Sequence, residues 1–480
     1  MFFISVHVSA FVFRAENKNE SWMQNFNEAK SVAPADSLHQ SAKQTGLPQD
    51  GVDLDEVELD RFLKRIRSSE RLAKLREMIH QWKDSHPSVM AALSPPLSTL
   101  HIDPDDHYNM SGLVWSKGYP IEEYEVQTED GYILGLFRIP HGKNKGIGTG
   151  ARPVVFLQHG LLAASTNWVE NPADESLGFI LADLGYDVWM GNMRGNTYSK
   201  KHISLSPRQK EFWEFSWDEM AKYDLPAMLD FALSKSGQSR LAYVGHSQGT
   251  LIAFTGFTIN PELGRKVTTL IALGPVYTVA HINIGLRDLI YTGVIELLVD
   301  ELILLGLYEF LPKNFITNDL AARTICAFPP TEFLCADFLM LLAGFSEHHL
   351  NDSRIQVYVS NEPAGTSLQN MKHFIQMVVS GKCQMYDYGR KQNRIRYNST
   401  TPPEYHVEDL KVPVALFWGD DDFLADPKDV ANLIPRIRKL VFNKEIKNFE
   451  HLDFIWAMDA KSVLYDDVIR LIHDGMAAGL

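Results

Sequence analysis

Apolar runs of strand length alternate with helix-length segments over much of the chain, beginning near residue 101. The strand-like runs are R-P-V-V-F-L-Q-H-G, G-Y-D-V-W-M-G-N, L-A-Y-V-G and V-T-T-L-I-A-L-G, and a helix is predicted near 175–184. Strands buried on both faces read as continuous apolar runs of this kind. The pattern therefore predicts an α/β fold with a mostly parallel central sheet and helices on both faces.

The alternation stops near residue 278 and resumes with V-P-V-A-L-F-W-G at Val412, followed by K-L-V-F-N-K-E-I. Between these points the chain is mainly helical and rich in Leu and Phe. One sheet interrupted by a helical insertion is the economical interpretation. We predict core at 101–277 and 403–480, and a helical cap at 278–402 whose mobile lid lies around 300–340.

The first hundred residues have a different composition. Residues 15–53 are polar, which predicts partial disorder, whereas apolar positions at helical spacing predict amphipathic helices over 54–84. The start, M-F-F-I-S-V-H-V-S-A-F-V-F-R, has the length of a signal-peptide apolar region but lacks a basic start and a clear cleavage site. We interpret 1–100 as an extension that includes a possible signal or pro-segment.

Charge and composition exclude several classes of function. The net charge of −14 and the lack of a Lys/Arg-rich block argue against a nucleic-acid partner. No apolar run reaches the ~18–20 residues that a membrane-spanning helix needs. The three cysteines contain no CxxC pair and HExxH spacing is absent, so we predict neither a metal nor a cofactor. N-glycosylation sequons, which matter only in a secreted chain, begin at Asn19, Asn109, Asn351 and Asn398.

The stretch L-A-Y-V-G-H-S-Q-G-T places Ser247 in a Gly-x-Ser-x-Gly pattern between a strand and a helix. A strand that turns sharply into a helix strains the turn residue and crowds the positions two residues before and after it. This crowding is a steric reason for glycine at both positions, Gly245 and Gly249. A serine hydroxyl needs a base to become nucleophilic, and the base needs an orienting carboxylate. The pattern predicts a nucleophile elbow with Ser247 as the nucleophile.

Both partners follow in the order serine, acid, histidine, each after a predicted strand. The base is predicted to be His451, in the loop N-F-E-H-L-D. The acid is predicted to be Asp422, because a carboxylate three residues after Gly419 can turn back over the strand end. The rival acids are Asp420, Asp421 and Asp426, of which the last is expected to cap a helix. The rival bases, His159 and His246, are expected to form structural hydrogen bonds.

The tetrahedral intermediate of an acyl transfer needs two preset N–H donors for its oxyanion. The backbone of Gln248, directly after the nucleophile, is the first candidate. The second is Leu161, in the loop after the first central strand. Neither can be tested by simple truncation of a side chain, since both are backbone groups.

Several segments resemble the acid lipases, the animal family that contains gastric and lysosomal acid lipase. The matching runs include N-M-S-G-L-V-W-S-K-G-Y-P, G-Y-D-V-W-M-G-N-M-R-G-N-T, P-A-G-T-S-L-Q-N-M and H-L-D-F-I-W-A-M-D-A. The resemblance implies an α/β-hydrolase fold, a cap with a lid, and hydrolysis of triacylglycerol or sterol esters in a secreted or lysosomal location. The family's triad and oxyanion donors fall on the residues named above.

The resemblance also bears on two cysteines. Cys326 and Cys335 lie nine positions apart, and this spacing alone leaves open a disulfide or two free thiols. The family's cap disulfide falls on this pair, which implies a bridge. Cys383 has no counterpart in the family.

The leading interpretation is a serine lipase acting at a lipid–water interface on neutral lipid esters. The alternatives are a catalytically silent lipid-binding or storage protein with the same fold, and a carboxylesterase acting on other esters. A silent protein typically lacks a member of the triad, and none is missing here. The sequence leaves the oligomeric state and the preferred ester undetermined.

Overall fold

A computed structural model describes residues 103–143, 152–282, 284–291, 293–304, 306–313 and 349–478. The predicted N-terminal extension, both cysteines of the expected disulfide and most of the expected lid lie outside the described residues. Cys383 is within them and is a buried free thiol.

Nine strands of the described residues form one sheet in the order β1-β2-β4-β3-β6-β7-β10-β11, with β5 paired to β2. The strands from β4 to β11 along this order are parallel, and β1 and β2 are antiparallel to their neighbours. The bounds are β1 Glu122–Gln127, β2 Tyr132–Ile139, β3 Val154–Gln158, β4 Asp187–Gly191, β5 Lys201–His202, β6 Leu241–His246, β7 Val267–Leu273, β10 Val414–Gly419 and β11 Leu440–Ile446. The predicted mostly parallel sheet is confirmed.

Helices connect the strands and cover the sheet. Within the core they are Met110–Ser116, Leu177–Asp183, Trp217–Glu219, Leu225–Ser236, Gln248–Ile259, Pro261–Arg265, Pro427–Leu433, Asp453–Trp456 and Asp466–Ala477. The helix expected near 175–184 is therefore present. None of the helices in the described part of the chain combines the length and apolar character needed to cross a bilayer.

The central strands β3, β4, β6 and β7 are mostly apolar because both of their faces are buried. Phe156 and Tyr243 face one hydrophobic core, whereas their chain neighbours Leu157 and Val244 face the other. All four side chains are fully buried. Successive strand residues point to opposite faces, so a sheet covered on both sides needs apolar residues at every position.

The segment between β7 and β10 is mainly helical where it is described. Its helices are Ile284–Tyr291, Val294–Leu304, Ile355–Asn361, Leu368–Ser380 and Arg390–Tyr397, and a small two-stranded sheet joins β8 Glu309–Phe310 to β9 Thr366–Ser367. The first two of these helices pack against Leu368–Ser380. We call residues 278–402 the insertion, because β7 and β10 pair directly in the sheet on either side of it.

Candidate active site

Ser247 lies in the turn between β6 and the helix Gln248–Ile259, with a backbone φ of 54° and ψ of −121°. This conformation is rare for a residue with a side chain and marks a strained turn. A Cβ on Gly249 would lie 2.5 Å from the Gln158 carbonyl oxygen, and one on Gly245 would lie 2.8 Å from the Gly249 backbone. The sequence has glycine at both positions because the strand, the helix and the end of β3 approach too closely for a side chain.

His451 and Asp422 form a buried pair at the carboxyl ends of the neighbouring strands. Asp422 follows β10, His451 follows β11, and Nδ1 of the histidine is 2.8 Å from Oδ2 of the carboxylate. The side chains are 4% and 0% exposed, respectively. The other carboxylate oxygen accepts hydrogen bonds from the backbone N–H groups of Leu424 (2.9 Å) and Ala425 (2.8 Å). These contacts fix the carboxylate, which in turn orients the imidazole.

The other imidazole nitrogen, Nε2 of His451, is buried and has no hydrogen-bond partner among the described residues. If Nδ1 carries the proton that it donates to Asp422, Nε2 presents a lone pair. Such a nitrogen can accept a proton from a hydroxyl that comes within reach, which is the chemistry required of a general base.

Backbone contacts bring the serine turn and the histidine loop together. The Ser247 N–H donates to the Leu273 carbonyl at 3.0 Å, and a Cβ on the next residue, Gly274, would lie 3.2 Å from His451 Cε1. His246 Nε2 is 2.9 Å from the backbone carbonyl of His451. The residue before the serine therefore holds the histidine loop directly.

Burial makes both rival bases poor proton acceptors. Desolvation lowers the pKa of His159 to about 4 and lowers that of His246 well below its usual value. His159 Nε2 accepts a hydrogen bond from the Met193 N–H at 3.1 Å, and its Nδ1 is 2.8 Å from the Gly160 carbonyl. Both histidines thus form structural hydrogen bonds, as the sequence suggested.

The rival acids lie in the same loop as Asp422 but contact other groups. Asp420 accepts a hydrogen bond from the Asn448 N–H at 2.7 Å, and Asp421 is exposed. Asp426 caps the helix Pro427–Leu433 through the Lys428 N–H at 2.8 Å. Of the four, Asp422 is the one that contacts His451.

The loop after β3 lies against the serine. A Cβ on Gly160 would be 2.9 Å from Ser247 Cβ and 3.4 Å from its Oγ. Leu161 follows Gly160, and Gln248 is the first residue of its helix, where a backbone N–H has no intrahelical acceptor. Leu161 therefore follows a residue that lies against the serine, and Gln248 directly follows the serine itself.

Carboxylates that the sequence did not single out surround the histidine loop. Burial, reinforced by Asp421 and Asp422, raises the pKa of Glu450 to about 7. Burial also raises the pKa of Asp453 to about 8. The Glu450 N–H donates to the Asp453 carboxyl at 2.8 Å. Both groups are therefore largely neutral in mildly acidic solution.

Asn370 is a further residue that the sequence did not single out, and it contacts the residue directly after the serine. Asn370, on the insertion helix Leu368–Ser380, donates from Nδ2 to the side-chain oxygen of Gln248 at 2.8 Å. It belongs to the run P-A-G-T-S-L-Q-N-M that carries the family resemblance, which is the one signal in the sequence that could have found it. In the described residues, His349 pairs with Asp459 (3.0 Å), and no group of three His, Cys, Asp or Glu side chains could hold a metal ion.

Family models match the first part of the core. A model described as a partial alpha/beta-hydrolase lipase region matches residues 110–172, and one for the alpha/beta hydrolase fold matches 153–286. Together with the sheet order and the serine turn, these matches define an α/β hydrolase.

Comparison with curated proteins identifies the family within this fold. The chain is 48% identical to gastric triacylglycerol lipase of Rattus norvegicus over 78% of this chain and 93% of that protein. It is 47% identical to gastric triacylglycerol lipase of Homo sapiens (80% and 98%) and 50% identical to human lysosomal acid lipase/cholesteryl ester hydrolase (78% and 92%). The chain belongs to this family of acid lipases and is a carboxylic ester hydrolase, which confirms the resemblance found in the motifs.

Proposed function

We propose that this protein is a serine lipase that hydrolyses neutral lipid esters, triacylglycerol or sterol esters, through Ser247, His451 and Asp422. The observation that carries the proposal is the buried His451–Asp422 pair, whose free imidazole nitrogen lies on the same sheet edge as the strained serine turn. The names of the relatives support the substrate class, since they include a triacylglycerol lipase and a cholesteryl ester hydrolase.

The first half of the proposed reaction forms an acyl-enzyme. Ser247 Oγ attacks the ester carbonyl carbon while His451 Nε2 takes the hydroxyl proton, and the carbonyl oxygen becomes an oxyanion. The C–O bond to the alcohol then breaks, and the leaving oxygen takes that proton from His451. Asp422 keeps the imidazole in one orientation and stabilises its positive charge during both steps.

The second half releases the fatty acid. A water molecule attacks the acyl carbon, gives a proton to His451, and the bond to Ser247 Oγ breaks as that proton passes to the serine. The backbone N–H groups of Leu161 and Gln248 would stabilise the oxyanion in both halves. One such donor typically contributes ~10²–10³ in kcat.

The insertion suits a substrate with long acyl chains. A fatty acyl chain must move out of water when it binds, and the catalytic site beside it must also limit the access of water. An apolar cap over the strand ends serves both needs. We propose that residues 278–402 form this cap, with a lid around 300–340. We also propose a secreted or lysosomal location, as the names of the relatives suggest.

A fluorophosphonate probe tests the nucleophile. We expect it to label the folded wild-type protein and to leave Ser247→Ala unlabelled. Folded wild-type protein that resists labelling would favour the silent lipid-binding alternative.

A substrate panel tests the specificity. Emulsified triolein and cholesteryl oleate, compared with short soluble esters at pH 5 and pH 8, would separate a lipase from a general carboxylesterase. We expect higher activity on at least one of the two emulsified substrates, and a preference for the soluble esters would overturn the lipase proposal.

A further inference from the structure

The loop that carries the second oxyanion donor is held by the insertion. Leu162, the residue after Leu161, has a φ of 61°, an uncommon conformation for leucine. Its carbonyl accepts a hydrogen bond from the Ala364 N–H at 2.6 Å, and the Ala364 carbonyl accepts from the Thr197 N–H at 2.8 Å. A segment of the insertion is therefore hydrogen-bonded between the oxyanion loop and the core.

The buried carboxyl group of Glu362, two residues before Ala364, makes a second contact with this loop. Oε1 of Glu362 accepts from the Ala164 N–H at 3.1 Å and from Asn167 Nδ2 at 3.0 Å. Glu362 is separated from Ala164 by 198 residues in the sequence. Two consecutive contacts, one through Ala364 and one through Glu362, thus fix the loop directly after Leu161.

We propose that Glu362 is a positioning residue for the oxyanion loop and that the insertion thereby completes the oxyanion hole. This inference rests on the proposed serine mechanism and adds a residue to it. Glu362 itself touches no reacting atom. Its carboxyl and the Ala364 N–H keep Leu162 in its uncommon conformation, which sets the direction of the neighbouring Leu161 N–H.

The surroundings of Glu362 determine its charge. Burial raises its pKa, and the nearby Glu170 raises it further, while Lys313 opposes this effect. Burial raises the pKa of Glu170 to about 7, and its Oε2 accepts from Trp456 Nε1 at 2.8 Å. Arg354 binds the backbone carbonyl of Glu170 and not the carboxylate of Glu170 or Glu362. Burial thus favours the neutral form of Glu362, whose accepting oxygen a glutamine can replace.

The main test compares Glu362→Gln with Glu362→Met at pH 5. Glutamine keeps the acceptor oxygen, whereas methionine has a similar size but leaves the Ala164 N–H unpaired. We expect kcat to fall about 10–100-fold in Glu362→Met with KM within about threefold of wild type, because misorienting one oxyanion donor weakens transition-state binding. Glu362→Gln should retain at least a third of the wild-type kcat.

Two further variants make the result interpretable. Glu175→Ala removes a half-buried carboxyl that accepts a hydrogen bond from Asn351, so kcat should not change. Thr197→Val removes only the Thr197 Oγ1 contact to the Ala364 carbonyl (3.1 Å). It disturbs the fold little, and it should lower kcat two- to fivefold if Glu362→Met does not fold.

The outcomes separate the two proposals. A folded Glu362→Met with wild-type kcat, or a Glu362→Gln as impaired as Glu362→Met, would overturn the role of Glu362. If Glu362→Met does not fold, a Thr197→Val with unchanged kcat would overturn the proposal that the insertion completes the oxyanion hole. Ser247→Ala, assayed in parallel, tests the mechanism itself. If Ser247→Ala keeps its activity, the serine mechanism fails whatever the Glu362 variants do.

Discussion

The two sides of Ser247 are built from different parts of the chain. On one side, His451 and Asp422 follow core strands, and the carboxylate is held by backbone N–H groups within its own loop. On the other side, the oxyanion loop donates to Glu362 and accepts from Ala364, and the Gln248 side chain accepts from Asn370. All three of these partners lie in the insertion.

This difference separates two requirements of the reaction. The residues proposed for proton transfer, and the backbone groups that hold the acid, all lie in the α/β core. The oxyanion side contacts the segment that we propose as the substrate cap, so a change in the insertion would alter transition-state stabilisation as well as substrate access. Variants on the two sides should therefore respond differently.

The largest effect is expected on the proton-transfer side, from Asp422→Asn. An amide cannot hold the imidazole tautomer that a general base needs, and we expect kcat to fall by about 10⁴. The matched control is Asp421→Asn, the exposed neighbour, which should stay within twofold of wild type. Ester hydrolysis by both folded variants measures this, and a loss below tenfold in Asp422→Asn would contradict the assignment of the acid.

The next largest effect is expected from Gly249→Ala at the serine turn. The new methyl group would lie 2.5 Å from the Gln158 carbonyl oxygen, so the helix or the end of β3 must move. We expect about a 100-fold loss of kcat together with a lower melting temperature. Gly237→Ala is the control, because no atom lies within 4 Å of its new Cβ and its φ of 67° costs only about 1 kcal/mol of stability. Equal kcat in the two variants would show that the turn tolerates displacement.

A smaller effect is expected from Asn370→Ala on the oxyanion side. This change removes the 2.8 Å hydrogen bond to the Gln248 side chain but leaves the Gln248 backbone donor in place. We expect a three- to tenfold loss of kcat with little change in KM. Asn393→Ala removes another buried asparagine of the insertion, whose partners are Tyr388, Asp387 and Thr400, and should leave kcat unchanged. Similar losses in both variants would point to a general weakening of the insertion.

The smallest effect on activity, but a clear one on stability, is expected from Asp453→Asn beside the histidine loop. The folded-state pKa of about 8 lies above the ordinary value of about 4, so the folded state binds more protons between these pH values. The free energy of unfolding therefore falls as the pH rises from about 4 to about 8. Asparagine does not ionise, so its advantage over wild type should grow by about 1–3 kcal/mol between pH 5 and pH 8.

Urea unfolding of both proteins at the two pH values checks this prediction. The buried histidines contribute equally to wild type and variant and cancel in the difference. Asp474→Asn, at an exposed aspartate, should give a difference that does not depend on pH. A pH-independent difference for Asp453→Asn as well would contradict the predicted ionisation.

The parallel part of the sheet was predictable from sequence because burial on both faces leaves a continuous apolar signal. The runs around Phe156, Tyr243 and Leu270 all became strands. We did not predict the antiparallel pair β1 and β2 from the sequence, although Asp130-Gly131 between the two strands is a typical hairpin turn. The charged residues that alternate along β1 obscured its strand character, because its exposed positions face solvent.

The residues proposed as serine, acid and histidine could be named from the sequence because the fold fixes their order and their place after strands. Glu362 and Asn370 were not, since each meets its partner only through long-range folding. Asn370 is 122 residues from Gln248, and no local spacing relates them. The effect of burial on Glu450 and Asp453 was equally hidden, because it depends on the carboxylates that a loop brings near them.

The direct pairing of β7 with β10 has a consequence for how such a protein can diversify. Residues 274–413 leave the sheet and return to it at adjacent strands, which are separated by only ~4.8 Å. Strand register therefore places no constraint on the length or composition of what is inserted there. Selection can therefore change large parts of residues 274–413 to suit a new ester without changing the hydrolytic residues of the core. The condition is that Glu362 and Ala364 keep their hydrogen bonds to the loop after β3.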